Sequence, residues 1–249
     1  MAGHLSYPSA DVILAVLGIR HPKDIQLEAI AYLSGATIVA RRTEGCEARL
    51  VGAGDQAIIT VNAASPPERR RFSAAHELGH WFFNHGTIAL SCTEENFNVE
   101  WGEETIERRA NRFAAELLLP ASMVRPMVQD CDVSFALVDQ LMAEFGTSLP
   151  ATAIRLIELA SFPAMLICSE QGRRRWFVRS PILPNDFWPY TEPRAGTATV
   201  DVLNQRLARG DVRRLTGDHW IGHRAARQER IHEEVRRLSN DFVLSLLTW

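Results

Sequence analysis

The sequence predicts an α+β protein: a small sheet with several helices, then a helical extension, then a smaller mixed α/β domain. Three observations predict this class. Short apolar runs separated by turn residues fill 36–62, which is typical of strands. Helical periodicity with start and stop signals begins after residue 65. From about residue 161 proline, glycine and tryptophan become denser and strand-like runs return.

Length and composition are those of an ordinary globular protein. The 249 residues are enough for one large domain or two small ones, and 46% of them are hydrophobic. The net charge of −3 gives no overall attraction to nucleic acid or anionic lipid. The 4 cysteines are far apart, which argues against a zinc knuckle and a disulfide framework. Since no signal pattern or bilayer-length apolar run is present, we expect a cytoplasmic protein without membrane contact.

Several elements can be assigned before residue 63. Residues 10–34 are typical of two short helices with a break near Pro22. The runs 36–41, 48–52 and 56–62 predict three strands. If the third strand lies at a sheet edge, it could pair with an extended polypeptide. The alternative is a fully paired core strand.

A long helix is predicted directly after these strands. Ser65 can cap it, Pro66 is suited to the first helical position, and Glu68 completes a capping box. Gly86 is a natural C-terminal stop for the same helix. The segment between these residues therefore forms one helix.

This helix carries two histidines and a glutamate in an otherwise apolar stretch. His76 and His80 are four residues apart, so both point from one face, which the flanking aromatic residues place toward the interior. Neutral imidazoles there can bind one metal ion at about 2.0–2.1 Å. Glu77 projects beside that face and can act as a general base, which is the H-E-x-x-H arrangement. Gly79 suggests the close approach of another element. The alternative is a set of core polar groups that satisfy one another.

Zinc in such a site needs a third protein ligand. The expected region is a polar loop over 91–104 and a second helix that ends before Pro120. The candidate residues there are Glu103, Glu104, Glu107 and Glu116. Helical phase favours Glu107, because it leads a stripe that continues through Asn111, Ala114 and Leu118, whereas Glu116 lies on the opposite side. An exposed first-turn acid is the alternative for Glu107.

His85 lies at the end of the first helix. A role near the helix dipole or behind the ligands is more consistent with this position than direct ligation.

The segments RRRFSAAHELGHWFFNH and IERRANRFAAELLLP, with the ITVN strand before them, resemble the ImmA/IrrE family of bacterial zinc metallopeptidases. The resemblance covers about residues 10–160. It implies a zincin-like metallopeptidase domain at 1–129, with His76, His80 and Glu107 as zinc ligands and Glu77 as the catalytic acid and base. Mn²⁺ is an alternative to Zn²⁺.

The resemblance also implies a partner. The family's known targets are helix-turn-helix transcriptional repressors, which are cut in response to DNA damage or other stress. A DNA-binding repressor is therefore the expected protein substrate. Many members begin with a DNA-binding domain, which we do not find in this sequence. Residues 161–249 resemble only weakly the C-terminal part of the radiation-response members, so a sensor or recognition domain is expected there.

Residues 130–160 form the predicted helical extension, and 134–160 resemble a helix-turn-helix with Gly146 at the turn. Its second helix has Arg155 as its only basic residue, whereas a DNA reader needs a denser basic face. We therefore interpret it as a scaffold and do not expect direct nucleic-acid binding. Farther on, GRRRWFVRS predicts an amphipathic edge strand, with contact to single-stranded nucleic acid as the alternative. FVLSLLTW predicts a closing strand, with helix as the alternative.

Two functional hypotheses follow from these patterns. The first is a regulatory zinc endopeptidase that acts on a repressor. The second is a non-hydrolytic metal-binding regulator whose C-terminal half binds a ligand or a partner. Glu77 favours the first, because a purely structural metal site has no need of a carboxylate beside an open coordination position. The oligomeric state is not predicted.

Overall fold

A computed structural model of the chain describes residues 9–84, 88–92, 105–129 and 131–249. These ranges contain eight α-helices and nine strands in two sheets, so the predicted mixed α and β composition is confirmed. The chain divides into two compact units. One joins Met1–Pro126 to Leu141–Ser148, and the other joins Met127–Gln140 to Leu149–Trp249.

The first unit begins with two short helices and contains a four-stranded sheet. Its first elements are α1 (Ala10–Val16), α2 (Leu27–Leu33), β1 (Ala36–Arg41), β2 (Ala48–Ala53), β3 (Gln56–Asn62) and β4 (Ile88–Cys92). The strands lie in the order β1-β3-β2-β4, with β1 parallel to β3 and the other pairs antiparallel. The predicted helices and three strands are thus confirmed. Because β3 is paired on both sides, its interpretation as an edge strand is wrong and the core-strand alternative is confirmed.

Helix α3 (Pro67–Phe83) packs on β2 and β3 and also contacts α4 (Ile106–Leu118). Side chains alternate along both strands, so Leu50, Ile59 and Val61 form a buried apolar surface. Every α3 residue of 73–81 is buried, as expected for a helix with neighbours on several sides. This packing explains how polar residues of α3 come to lie in the interior.

The start of α3 differs from the prediction by one residue. Pro67 takes the first helical position and Pro66 is the cap residue, without a side-chain capping bond. Ser65 instead donates a hydrogen bond to Glu47, with 2.7 Å between Oγ and Oε2. The predicted capping box is therefore wrong, because a contact from another part of the chain takes the serine hydroxyl. Gly86 lies outside the described residues.

The connection to α4 is also partly corrected. Residues 91 and 92 belong to β4, so the predicted polar loop is wrong at those two positions, and 93–104 lie outside the described residues. Helix α4 is capped by Thr105, whose Oγ1 accepts from the backbone N–H of Arg108 at 3.2 Å. It ends at Leu118, before Pro120, as the sequence predicts.

The second unit is built on a five-stranded antiparallel sheet. The remaining elements of the chain are α5 (Ala121–Val128), α6 (Phe135–Phe145), α7 (Leu149–Leu159), β5 (Ala164–Glu170), β6 (Arg173–Arg179), α8 (Ala198–Gln205), β7 (Arg209–Thr216), β8 (Arg230–Arg237) and β9 (Phe242–Thr248). The strand order is β6-β5-β9-β8-β7. The predicted edge strand β6 and closing strand β9 are confirmed, and the helical alternative for the last segment is wrong.

A buried glutamate caps the amino end of α8 in this unit. Glu233 is fully buried on β8, and its carboxylate accepts from the backbone N–H groups of Ala198 at 2.7 Å and Thr199 at 3.0 Å. Negative charge is favourable at a helix amino end. Burial nevertheless raises the pKa of Glu233 above its ordinary value.

Three helices fill the segment from 121 to 160, and two of them form the predicted helical extension, with Gly146 between α6 and α7 at a positive φ of 63°. Helix α6 contributes to both units, and α7 packs on β5 and β6. The boundaries at 129/130 and 160/161 stay predictions. None of the described helices combines the length and the apolar character that a membrane crossing requires.

Candidate metal centre

Helix α3 brings two imidazoles together in the interior of the first unit. His76 and His80 are one helical turn apart, and both are fully buried. Their Nε2 atoms lie 3.0 Å from each other. The rings meet edge to face, with centroids 4.7 Å apart. Both side chains therefore direct a ring nitrogen at the same point.

The first turn of α4 brings a carboxylate to this point. Glu107 Oε2 lies 3.2 Å from Nε2 of His76, and Oε1 lies 3.4 Å from Nε2 of His80. The Glu107 side chain is 35% exposed, so the carboxylate also reaches solvent. The structure thus unites the three residues that the sequence suggests as ligands.

The separations and the chemistry of these donors fit a tetrahedral zinc ion. Ligand atoms at 2.0–2.1 Å from zinc lie about 3.3 Å from one another. The three separations here are 3.0, 3.2 and 3.4 Å. Imidazole nitrogen and carboxylate oxygen are both zinc ligands in proteins. Among the described residues, these three form the one group of His, Cys, Asp or Glu side chains close enough to hold a metal.

The protonation states at this point also favour metal binding. Burial, and next the neighbouring imidazole of His76, lower the pKa of His80 to about 4. Contact with His76, chiefly a hydrogen bond, holds the pKa of the Glu107 carboxyl below its usual value. Near neutral pH His80 is therefore neutral and Glu107 is ionised, which are the forms that bind metal.

Asn111 orients one of the imidazoles. Its Oδ1 lies 2.9 Å from Nδ1 of His76, one turn along α4 from Glu107. An amide oxygen only accepts, so Nδ1 of a neutral His76 carries the proton and Nε2 presents its lone pair. Sequence reasoning placed Asn111 on the stripe of Glu107 without giving it a role. The four-residue spacing from Glu107 was the available signal.

Glu77 follows His76 in α3 and is fully buried. A helix turns about 100° per residue, so its side chain leaves α3 beside that of His76. Complete burial of a carboxylate costs free energy unless the surroundings compensate. Acids kept under such conditions are frequent at catalytic sites.

Gly79 allows the two helices to approach. A Cβ atom at this position would meet Cδ1 of Phe113 at 3.0 Å and Cα of Ala110 at 3.3 Å, both on α4. The close approach that the sequence suggested at this glycine is present. It lets the first turn of α4 bring Glu107 within reach of His80.

The remaining candidates do not join the group in the described structure. Glu116 lies farther along α4 and is absent from the metal-binding group. Glu103, Glu104 and His85 lie outside the described residues.

Comparison with known proteins identifies a family that matches the part of the chain holding this site. Residues 34–156 match the family described as the IrrE N-terminal-like domain, a segment that includes α3 and α4. The radiation response metalloprotease IrrE of Deinococcus radiodurans is 27% identical over 151 residues, which are 61% of this chain and 43% of that protein. The protein of the same name from Deinococcus deserti is 31% identical over 96 residues, which are 39% of this chain and 29% of that protein. The chain spans less than half the length of either relative.

A solved structure resembles the chain over a longer range. A Mycobacterium tuberculosis transcriptional regulator superposes with a TM-score of 0.62 and 16% sequence identity. The match covers 96% of this chain and 74% of that one. At this identity the likeness concerns the fold.

Proposed function

The chain belongs to the ImmA/IrrE family of metallopeptidases, and from this membership we propose that it is a zinc-dependent endopeptidase that cleaves a helix-turn-helix transcriptional repressor. The cleavage would form part of a response to stress or DNA damage. The fold of the catalytic part is then zincin-like, with the metal ligands shared between two helices.

One observation carries this proposal. The buried pair His76 and His80 and the partly exposed Glu107 converge within 3.4 Å, and a fully buried carboxylate, Glu77, directly follows the first ligand. A structural zinc site is closed by four protein ligands, whereas a catalytic site keeps one position open. The site has three donors, and Glu107 is partly exposed. Both features support a catalytic site with one open position.

The residues of the site would have distinct roles in the reaction. His76, His80 and Glu107 would hold Zn²⁺ or Mn²⁺, and Asn111 would keep the ring of His76 in the correct orientation. The bound metal supplies Lewis acidity, which polarises a peptide carbonyl and acidifies water. Glu77 would accept the proton of the attacking water and then pass it to the leaving amine. Its complete burial directly after the first ligand supports this role.

The test is a cleavage reaction with a candidate substrate. A helix-turn-helix repressor encoded next to this protein would be incubated with the full chain and Zn²⁺ or Mn²⁺, and the products identified by mass spectrometry. We expect a single cut in the repressor that needs the metal. An intact repressor with a metal-loaded protein would contradict the proposal.

A second function has one observation in its favour. The solved structure that covers 96% of this chain is a transcriptional regulator. A non-hydrolytic metal-binding regulator would therefore be the alternative for this chain. It predicts that the metal-loaded protein binds the repressor without cutting it, so pull-down and cleavage in the same sample distinguish the two functions.

A further inference from the structure

Strands β7 and β8 form a two-stranded ribbon at one end of the second sheet, with β7 at the edge. One face of β8 is buried through Ile231, Glu233 and Val235. Because side chains alternate along a strand, Arg230 and His232 lie on the opposite face. Both of these side chains are exposed.

The register adds two arginines of β7 to that face. Arg214 pairs with His232, and Arg209 pairs with Arg236, which alternates with Val235 on β8. Arg209 and Arg214 are exposed as well. We refer to Arg209, Arg214, Arg230 and His232 as the basic face.

The four side chains of the basic face are unpaired in the described part of the chain. None of them makes a hydrogen bond or ion pair with any described residue. Glu234 lies on the same side of β8, but its carboxylate accepts from the backbone N–H of Phe135 at 2.9 Å and forms no ion pair with these side chains. Other arginines of the same ribbon are engaged, since Arg213 contacts Asp201 at 2.7 Å and Arg236 is paired with Asp139. Arg236 lies on the same side of the sheet as the basic face, opposite Arg209, so within the described residues one arginine of this side is neutralised and the four side chains of the basic face are not.

Protection of the sheet edge does not account for this arrangement. Charged side chains on an edge strand discourage pairing with another chain. That reasoning applies to Arg209 and Arg214 on β7. It does not apply to Arg230 and His232, which lie on β8, a strand paired on both sides.

The side chains of the basic face indicate which class of partner it can bind. A protein partner needs apolar or aromatic anchors at the centre of the interface, and a single-stranded nucleic acid needs aromatic side chains for stacking. The basic face contains neither. Guanidinium groups bind phosphate in bidentate fashion, and Arg230 and His232, two residues apart, are spaced by about 6.6–6.8 Å along the strand. Double-stranded DNA presents phosphate groups in such a regular row.

We propose that the basic face of the β7–β8 ribbon binds the phosphate backbone of double-stranded DNA without reading its sequence. The sequence did not predict direct nucleic-acid binding, and the two segments that it offered for such a contact, 134–160 and 172–180, lie outside the β7–β8 ribbon. The inference goes beyond the peptidase activity and does not depend on it. For a protease of DNA-bound repressors, such a surface would raise the concentration of enzyme near its substrate.

The test measures binding of the full chain to a fluorescent DNA duplex of arbitrary sequence by anisotropy, between about 50 and 200 mM salt. The variant Arg214→Gln/Arg230→Gln should bind more weakly than wild type. Each lost phosphate contact lowers the slope of log affinity against log salt by about 0.9, so the double variant should lose about 1.8. Circular dichroism should show unchanged folding, because both side chains are exposed and make no contact within the described residues.

The matched control is Arg173→Gln/Arg175→Gln on β6, at the other edge of the sheet. It removes the same charge, but these arginines are paired with Glu192 at 3.8 Å and Glu170 at 3.5 Å. Its affinity and salt slope should equal those of wild type. An equal loss in the control would reduce the effect to net charge and overturn the proposal. The absence of wild-type binding at the lowest salt, or competition by polyglutamate as strong as by unlabelled duplex, would overturn it as well.

Discussion

Two imidazole nitrogens and a carboxylate lie within 3.4 Å of one another at the centre of the first unit, so single substitutions can separate metal binding from proton transfer. The position of Glu107 was predictable because helical phase depends on local spacing alone. The contact of Asn111 with His76 was not, because it depends on how closely α3 and α4 approach. A polar residue on a half-buried helical stripe is equally consistent with solvent contact.

Replacing Glu77 by Gln should leave the metal in place and abolish cleavage. The side chain keeps its size but loses its basicity, and none of the three ligand residues changes. We expect cleavage of the repressor to fall by about 10²–10⁴, the usual contribution of a general base. Zinc content would be measured on the same preparation. Glu68→Gln, at the exposed start of α3, is the control and should keep full activity. Retained hydrolysis in Glu77→Gln would exclude the general-base role.

Replacing Asn111 by Ala should weaken metal binding by about 10–100-fold, because His76 loses the acceptor that fixes its ring. Asn111→Asp keeps an acceptor at the same place and should bind nearly as wild type does. Competition with a chromogenic chelator measures both affinities. Glu116→Ala, elsewhere on α4, is the control. If Asn111→Ala binds the metal as tightly as Glu116→Ala, the orienting role is wrong.

At the scale of elements, the strands with apolar alternation or a mostly apolar run were the predictable ones. β2 and β3 alternate regularly, whereas β1 and β5 are mostly apolar runs. β7 and β8 were not assigned, because both are rich in charged residues and their sequences are typical of polar connections. Their strand character comes from pairing with each other and with β9, which no local pattern encodes.

The contact between α3 and α4 gives a test at this scale. Gly79→Ala should gain up to about 1 kcal/mol from helix propensity and lose about 1–3 kcal/mol from overpacking against Phe113 and Ala110. The second effect should dominate, because the backbone of Ala110 cannot rotate away. Urea unfolding would show the net loss. In a double-mutant cycle, Phe113→Ala should cost less in the Gly79→Ala background than in wild type. If the effects of the two substitutions simply add, the ring of Phe113 does not limit how closely α3 and α4 approach.

The buried acid at the start of α8 gives a pH-dependent prediction. Burial raises the pKa of Glu233 in the folded protein above its ordinary value of 4.5. Its protonated form therefore favours folding, and this contribution is complete below about 4.3 and is lost as pH rises through the folded-state pKa. Glu233→Gln does not titrate. The unfolding free energy of wild type should thus decline relative to this variant as pH rises above the ordinary pKa of a glutamate.

Urea unfolding at several pH values would measure that difference. Glu229→Gln, an exposed neighbour, is the control and should show no such trend. A wild type that gains stability relative to Glu233→Gln with rising pH would mean that the helix amino end outweighs burial.

At the scale of the whole molecule, local patterns located the elements but not their grouping. The helical extension at 130–160 was predicted, yet a local pattern does not show that α7 packs on β5 and β6 while residues 141–148 belong to the first unit. Grouping depends on contacts between residues distant in sequence. The order β6-β5-β9-β8-β7, in which the last strand lies in the middle of the sheet, has the same origin.

This grouping leads to opposite expectations for two fragments that differ by one helix. A fragment of residues 1–148 keeps all described residues of the first unit, including the three candidate ligands, and carries only 127–140 of the second. It should stay monodisperse and bind zinc. A fragment of residues 1–160 adds α7 without β5 and β6, so the buried side of α7, with Ala153, Leu156 and Ile157, would face water. It should aggregate. Size-exclusion chromatography, circular dichroism and zinc analysis of both fragments would decide. A monodisperse, zinc-loaded fragment 1–160 beside an unfolded fragment 1–148 would instead support the boundary at 160/161 that the change in composition predicts.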